Sequence, residues 1–219
     1  MKNVIINGAD DAPNRVLLAH GAGAGMEHAV MASLAKGLAD KHIQVIRFEF
    51  PFMQKTRLDG RRRPPDRAPA LLACWQDMAA QFAHPRLFLA GKSLGGRMAS
   101  LVVDKLRADE LRMNELEAEE PAAKGLILLG FPFTPPNKPE QFRGEHLANL
   151  MTPTLLIQGE RDNFGNKAAV QNYDLSPQIQ TMWVTDGDHS FSPRKASGTN
   201  LDQNLSAIVA AMRSFILER

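Results

Sequence analysis

Short apolar runs recur along the chain, and most are separated by enough residues to hold a helix. Gln44 to Phe48, Arg86 to Ala90, Gly125 to Leu129, Thr154 to Gln158 and Gln178 to Val184 read as strands of this kind, which predicts βα units and a mostly parallel sheet. The start of the chain differs. Val4 to Ile6 and Arg15 to Ala19 are joined by the turn-rich stretch Asn7 to Asn14, too short for a crossover helix, so these two strands are expected to be antiparallel neighbours. Apolar residues at helical spacing predict helices over Ala29 to Lys41, Leu71 to Phe82 and Leu201 to Leu217. Arg107 to Glu120 is acidic and helix-prone up to Pro121, and is expected to be a solvated extension of the helix before it. Met31, Met53, Met78, Met98 and Met113 are scattered and are taken as packing residues. The fold class expected is α/β: a doubly wound, mostly parallel sheet with an antiparallel N-terminal strand, in a single domain over residues 1–219.

One stretch is special in this pattern. The run Leu87 to Ala90 leads directly into Gly91-Lys92-Ser93-Leu94-Gly95, a G-x-S-x-G placed between a buried strand and helix-compatible residues. In that setting the glycines permit close packing around a sharp turn that exposes the Ser93 hydroxyl, and the Leu94 amide at the helix start is placed to bind an oxyanion. An N-cap serine on a Gly-rich βα turn would look the same up to this point.

Bulk properties narrow the alternatives. The 219 residues are 44% hydrophobic, enough for one α/β domain with a substantial core. A net charge of +2, from 26 basic and 24 acidic residues, makes no general case for nucleic acid or a membrane surface as a partner. The lone Cys74 excludes an intramolecular disulfide, and MKNVIING carries no apolar leader or cleavage signal, so a reducing, cytoplasmic setting is expected.

In a doubly wound sheet chemistry collects at the carboxyl ends of the strands. After Ala19 comes His20-Gly21-Ala22-Gly23-Ala24-Gly25. A dinucleotide fingerprint would need its third glycine at Met26, and no phosphate-loop Lys-Ser/Thr follows, so an H-G-x turn offering the Ala22 amide as second oxyanion donor is the better account. His20 reads as a structural histidine pinning this loop, with a catalytic base or a contact to substrate as the functional alternatives. Farther on, Asp162 follows the strand Thr154 to Gln158, and His189 follows Thr181 to Val184. Ser93, then an acid, then a histidine is the chain order of α/β-hydrolases, with Ser93 as nucleophile, His189 as base and Asp162 as the acid that orients it. Asp186 and Asp188 compete for the acid's role, but they share a loop with His189 and suit local turns better.

LAHGAGAGM (18–26), FEFPFM (48–53), GKSLGGRMAS (91–100), QGERDNFG (158–165) and DGDHSF (186–191) together resemble a family of small bacterial α/β-hydrolases. That family is similar to testis-expressed hydrolase-like proteins and to a hydrolase-like domain of a chromatin-regulating acetyltransferase complex, and more distantly to dienelactone hydrolase. The resemblance implies the fold and a triad of Ser93, Asp162 and His189, with no established substrate; some relatives serve as interaction scaffolds.

The remaining candidates line the expected site. Lys92 either sets a cation beside the nucleophile or folds away, and Arg97 suits a structural pair with a nearby loop. Gly130 to Met151 is too short and Pro-rich for a cap domain; its Phe131 and Phe133 either wall a small acyl pocket or pack the loop down. Met53 to Arg67 is a basic loop whose Arg61, Arg62 and Arg63 either are solvated or favour anionic substrates. The function expected is a serine hydrolase of a small ester, thioester or related acyl compound, without metal or organic cofactor. A hydrolase-fold module that binds another protein is the alternative.

Overall fold

The computed structural model describes residues 4–113, 123–138 and 140–219. Among them, seven strands form one sheet: β1 (Val4–Asn7), β2 (Asn14–Ala19), β3 (Ile43–Phe48), β4 (Leu87–Lys92), β5 (Gly125–Leu129), β6 (Thr154–Gly159) and β7 (Ile179–Val184). Their order is β1-β3-β2-β4-β5-β6-β7, parallel throughout except for β1. The expected α/β class with an antiparallel first strand is therefore observed.

The pairing of the first two strands needs correction. β1 and β2 do run in opposite directions, but β3 lies between them, with Val4 opposite Phe48 on one side and Ala19 opposite Phe48 on the other. The connector from Gly8 to Pro13 bridges the width of a strand that comes later in the chain, which local turn signals do not reveal.

Strict alternation along the central strands explains why both faces are covered. Leu17 and Ala19, Leu87 and Leu89, and Leu126 and Leu128 face one apolar layer; Val16 and Leu18, Phe88 and Ala90, and Ile127 and Leu129 face the other. The first layer is closed by α3 (Ala68–Gln81), through Leu71, Trp75 and Met78, and by α4 (Leu94–Met113), through Met98, Val102 and Val103. The second is closed by α1 (Ala29–Leu38), through Met31, Leu34 and Leu38, and by α6 (Leu201–Leu217), through Ile208, Met212 and Phe215. A capping box between Asn200 and Gln203 starts α6. Residues 114–120 of the expected acidic extension lie outside the described residues, as does the side chain of Met113.

Met53 to Arg67 is not a continuous loop. α2 (Pro51–Asp59) occupies its first half, opened by Pro51 and closed by Gly60 at φ 71°. Its one buried residue is Phe52, so it has no apolar stripe for periodicity to detect. Pro at the start and Gly past the end were the available signals. After β5 the chain forms irregular structure and a short 3-10 turn, Glu145–Asn149, in place of a cap domain. A four-residue helix, α5 (Lys167–Val170), connects β6 toward β7.

Candidate active site

Register brings the carboxyl ends of five strands to one line. Ala19 pairs with Gly91, Lys92 with Leu129, Leu129 with Ile157, and Gly159 with Val184, so the loops that follow β2, β4, β5, β6 and β7 emerge side by side. Ser93 sits at the sharpest of these turns, at φ 51°, a left-handed conformation that costs a non-glycine residue about 1 kcal/mol or more. The turn survives because its neighbours hold it. Ser93 N–H donates to Leu129 O at 2.9 Å, and Arg97 N–H donates to Ser93 O at 2.9 Å as the first bond of α4. A Cβ on Gly91 would stand 2.3 Å from Gly96 N, and one on Gly95 would stand 2.6 Å from His20 O, so the backbones meet too closely for any side chain.

At this turn Ser93 Oγ lies 2.9 Å from His189 Nε2, and His189 Nδ1 lies 2.8 Å from Asp162 Oδ2. With Asp162 accepting, Nδ1 carries the ring proton and Nε2 is free to accept from the serine hydroxyl. Asp162 is wholly buried and held from two further directions: Phe164 N–H donates to Oδ1 at 2.8 Å, and Gln158 Nε2 donates to Oδ2 at 3.1 Å. Gln158 also donates to Phe131 O and Gly165 O and accepts from Phe131 N–H, so one buried amide ties three chain segments to the acid. Sequence reasoning missed this residue. Its signal was a polar side chain closing an otherwise apolar strand.

The histidine loop is built from both sides. Asp188 Oδ1 accepts from Ser190 N–H at 2.7 Å and Ser192 N–H at 2.9 Å, closing a local turn, while the imidazole is bound by Asp162 and Ser93. Asp186 pairs with Arg161 at 2.8 Å and Arg194 at 2.6 Å, and these partners pull its carboxyl below the usual carboxylate range. The ring of Phe164 leans on His189 with centroids 4.4 Å apart.

A cleft of about 300 Å³ opens over Ser93 and His189, walled by Gly21 to Ala24, His28, Val30, Met31, Lys92, Phe164 and Ser190. Gly21 is close enough to the elbow that a Cβ there would stand 3.4 Å from Ser93 Cβ. Ala22 lines the same cleft as Ser93, and Leu94 is the first residue of α4.

Several expected substrate contacts fall elsewhere. His20 is fully buried, accepts from Phe50 N–H at Nε2 (3.1 Å) and lies 2.6 Å from Gly21 O at Nδ1; burial holds its pKa below the ordinary value. It therefore pins the Gly-rich loop and does not line the cleft. Phe131 and Phe133 are also fully buried, Phe131 against Phe133 and His146 and Phe133 against Phe142 and Tyr173, which places them in the core and outside the cleft lining. Arg61 and Arg62 are exposed, Arg63 is bound to Asp59 at 2.5 Å, and none of them lines the cleft. Lys92 does line the cleft, and its ammonium donates to His189 O at 2.6 Å. Arg97 is partly buried; its Nε has no hydrogen-bond partner, while Glu145 of the loop after β5 acts on its guanidinium electrostatically.

Among the described residues no group of three or more His, Cys, Asp or Glu is arranged to hold a metal, and no helix is long and apolar enough to cross a membrane. The sheet order, the strained serine at the end of β4 and the acid and histidine after β6 and β7 define an α/β-hydrolase architecture. Residues 12–217 match the alpha/beta hydrolase domain family, and the chain belongs to it. It is a hydrolase by that membership. Its fold is similar to dienelactone hydrolase from Anabaena variabilis (17% identity, TM-score 0.68, 98% of this chain and 90% of that one). It is also similar to Est1E from Butyrivibrio proteoclasticus (13%, 0.62, 98% and 93%) and to an alpha-beta serine hydrolase homologue from Coxiella burnetii (16%, 0.62, 96% and 89%).

Proposed function

We propose that this chain is a serine hydrolase, working as a single domain, that cleaves a small carboxylic ester, thioester or related acyl substrate through an acyl-enzyme. One observation carries the proposal: the hydrogen-bonded chain from Ser93 through His189 to Asp162, at 2.9 and 2.8 Å, on the floor of a cleft. Ser93 Oγ attacks the acyl carbon as its proton passes to His189 Nε2, and Asp162 stabilises the imidazolium that forms. The amides of Ala22 and Leu94 receive the oxyanion. Collapse expels the leaving group with the proton from His189, and water repeats the sequence to release the acid.

The size and lining of the cleft support a small acyl group. About 300 Å³ is at the lower end for ligand pockets, and Ala22, Ala24, Val30, Met31 and Phe164 offer it an apolar surface. The GKSLGGR elbow and the likeness to testis-expressed hydrolase-like proteins belong to the same proposal. A fluorophosphonate probe tests it. Labelling that disappears in Ser93→Ala, together with ester turnover that falls with it, is the expected result. Inert native protein would overturn the proposal and favour a hydrolase-fold interaction module.

A further inference from the structure

A lysine directly before the serine is an expensive choice, since a cation removed from water must be compensated by partners. The structure supplies them at the back of the histidine loop. Lys92 runs past Gly21, with Cγ 4.0 Å from where a Cβ would sit there, and ends beside Gly130. Gly130 is at φ 60°, and a Cβ on it would stand 2.9 Å from Lys92 Nζ, 3.4 Å from His189 O and 3.5 Å from Asp162 Oδ2. The missing side chain makes a chamber in which ammonium, carbonyl and carboxylate meet. Nζ donates to His189 O at 2.6 Å and stands 5.2 Å from the centroid of the buried Phe191 ring.

The loop that receives this contact is strained. Asp186 and Phe191, on either side of His189, both have positive φ, at 49° and 67°. Such conformations persist only when the surroundings over-determine them. Asn204 restrains the far end by donating to Phe191 O at 2.9 Å, and Lys92 restrains the histidine itself.

We propose that Lys92 is a positioning residue for the reaction: its ammonium grips the His189 main chain from behind and keeps the imidazole in line between Ser93 and Asp162. This rests on the serine hydrolase proposal above. The charged and titratable groups facing the ammonium are Asp162 from the loop after β6 and Asp188 and His189 from the loop after β7; β5 is followed by Gly130 and β2 by the Gly21 loop. Desolvation draws the lysine pKa down to about 8, against the opposing pull of Asp162 and Asp188. A charge-assisted hydrogen bond is roughly twice as strong as a neutral one. The grip therefore slackens within an accessible pH range.

The test measures fluorophosphonate labelling of Ser93 from pH 6 to 10 in wild type, Lys92→Met and Lys92→Gln, alongside amide exchange over residues 187–192. Lys92→Met should label roughly 10- to 100-fold more slowly, the scale for a catalytic group displaced by about an ångström. Lys92→Gln, which keeps a donor without the charge, should fall between the two, and it carries the test if Lys92→Met fails to fold. Wild type should lose rate through an inflection near pH 8 that Lys92→Gln lacks, and exchange at 187–192 should quicken in both variants. Equal labelling rates, superimposable pH profiles or unchanged exchange would overturn the role of Lys92. Unlabelled wild-type protein would instead overturn the hydrolase proposal, and the exchange comparison would still decide whether Lys92 holds the loop.

Discussion

Gln158 and Asp162, four residues apart across the end of β6, share a hydrogen bond of 3.1 Å in which the buried amide fixes the carboxylate oxygen that also binds His189. The same amide satisfies Phe131 N–H, so its loss would leave a buried donor unpaired. Gln158→Leu should lower unfolding free energy by about 2 to 4 kcal/mol. Ester turnover, measured where the variant is still folded, should drop roughly tenfold through misdirection of the acid. Full activity in folded Gln158→Leu would show that Phe164 N–H alone suffices to hold Asp162.

The two acids near His189 should respond oppositely to the same change. Asp162→Asn removes the acceptor that fixes the imidazole tautomer, and kcat/KM is expected to fall by about three to four orders of magnitude. Asp188→Asn retains a side-chain oxygen for Ser190 and Ser192 N–H, so most activity should remain. Steady-state kinetics on one neutral ester separates the outcomes, and a reversed pattern would move the acid into the histidine loop.

Acid should weaken the fold before it reaches the carboxylates. Burial lowers the pKa of His20 and His146 below the 6.5 of an unfolded chain, so the unfolded state takes up more protons there as pH falls. Their contribution is therefore present above pH 6.5 and diminishes below it. Asp40 and Glu160, whose pKa values are lowered by hydrogen bonds from Arg213 and from the Asp186 amide, add a further loss below about pH 4. Urea midpoints should decline from pH 7.5 to 5.5, and His146→Gln, able to keep the bond to Ser100, should flatten that decline. A slope unchanged in the variant would remove His146 from the account.

The arginines after α2 should leave substrate charge unread. Arg61, Arg62 and Arg63 lie outside the cleft, and Arg63 is already paired with Asp59. Replacing all three by alanine is expected to change KM for an anionic ester and its neutral analogue by the same factor, within about twofold. A selective rise for the anionic ester, mimicked in the wild type by added salt, would bring this segment back to the site.

What the amino-acid order determined by itself was local or periodic. Continuous apolar runs along β2, β4 and β5 announced a sheet covered on both faces. Glycines around Ser93 announced the elbow, because backbone contacts of 2.3 to 2.6 Å admit no other residue. The order Ser93, Asp162, His189 followed from where the strands end. Tertiary structure decided everything that depends on which distant segment arrives next to a side chain. β3 enters between β1 and β2, which no turn in the first twenty residues encodes. α2 buries one phenylalanine and so leaves no stripe to read. His20, Phe131 and Phe133 all follow active-site strands, yet each points into the core, where Phe50 N–H or neighbouring rings take up its surface. The same holds for Lys92. A charged residue's role is set by the partners that compensate its desolvation, and here those partners, His189 O and Asp162, are 97 and 70 positions away along the chain.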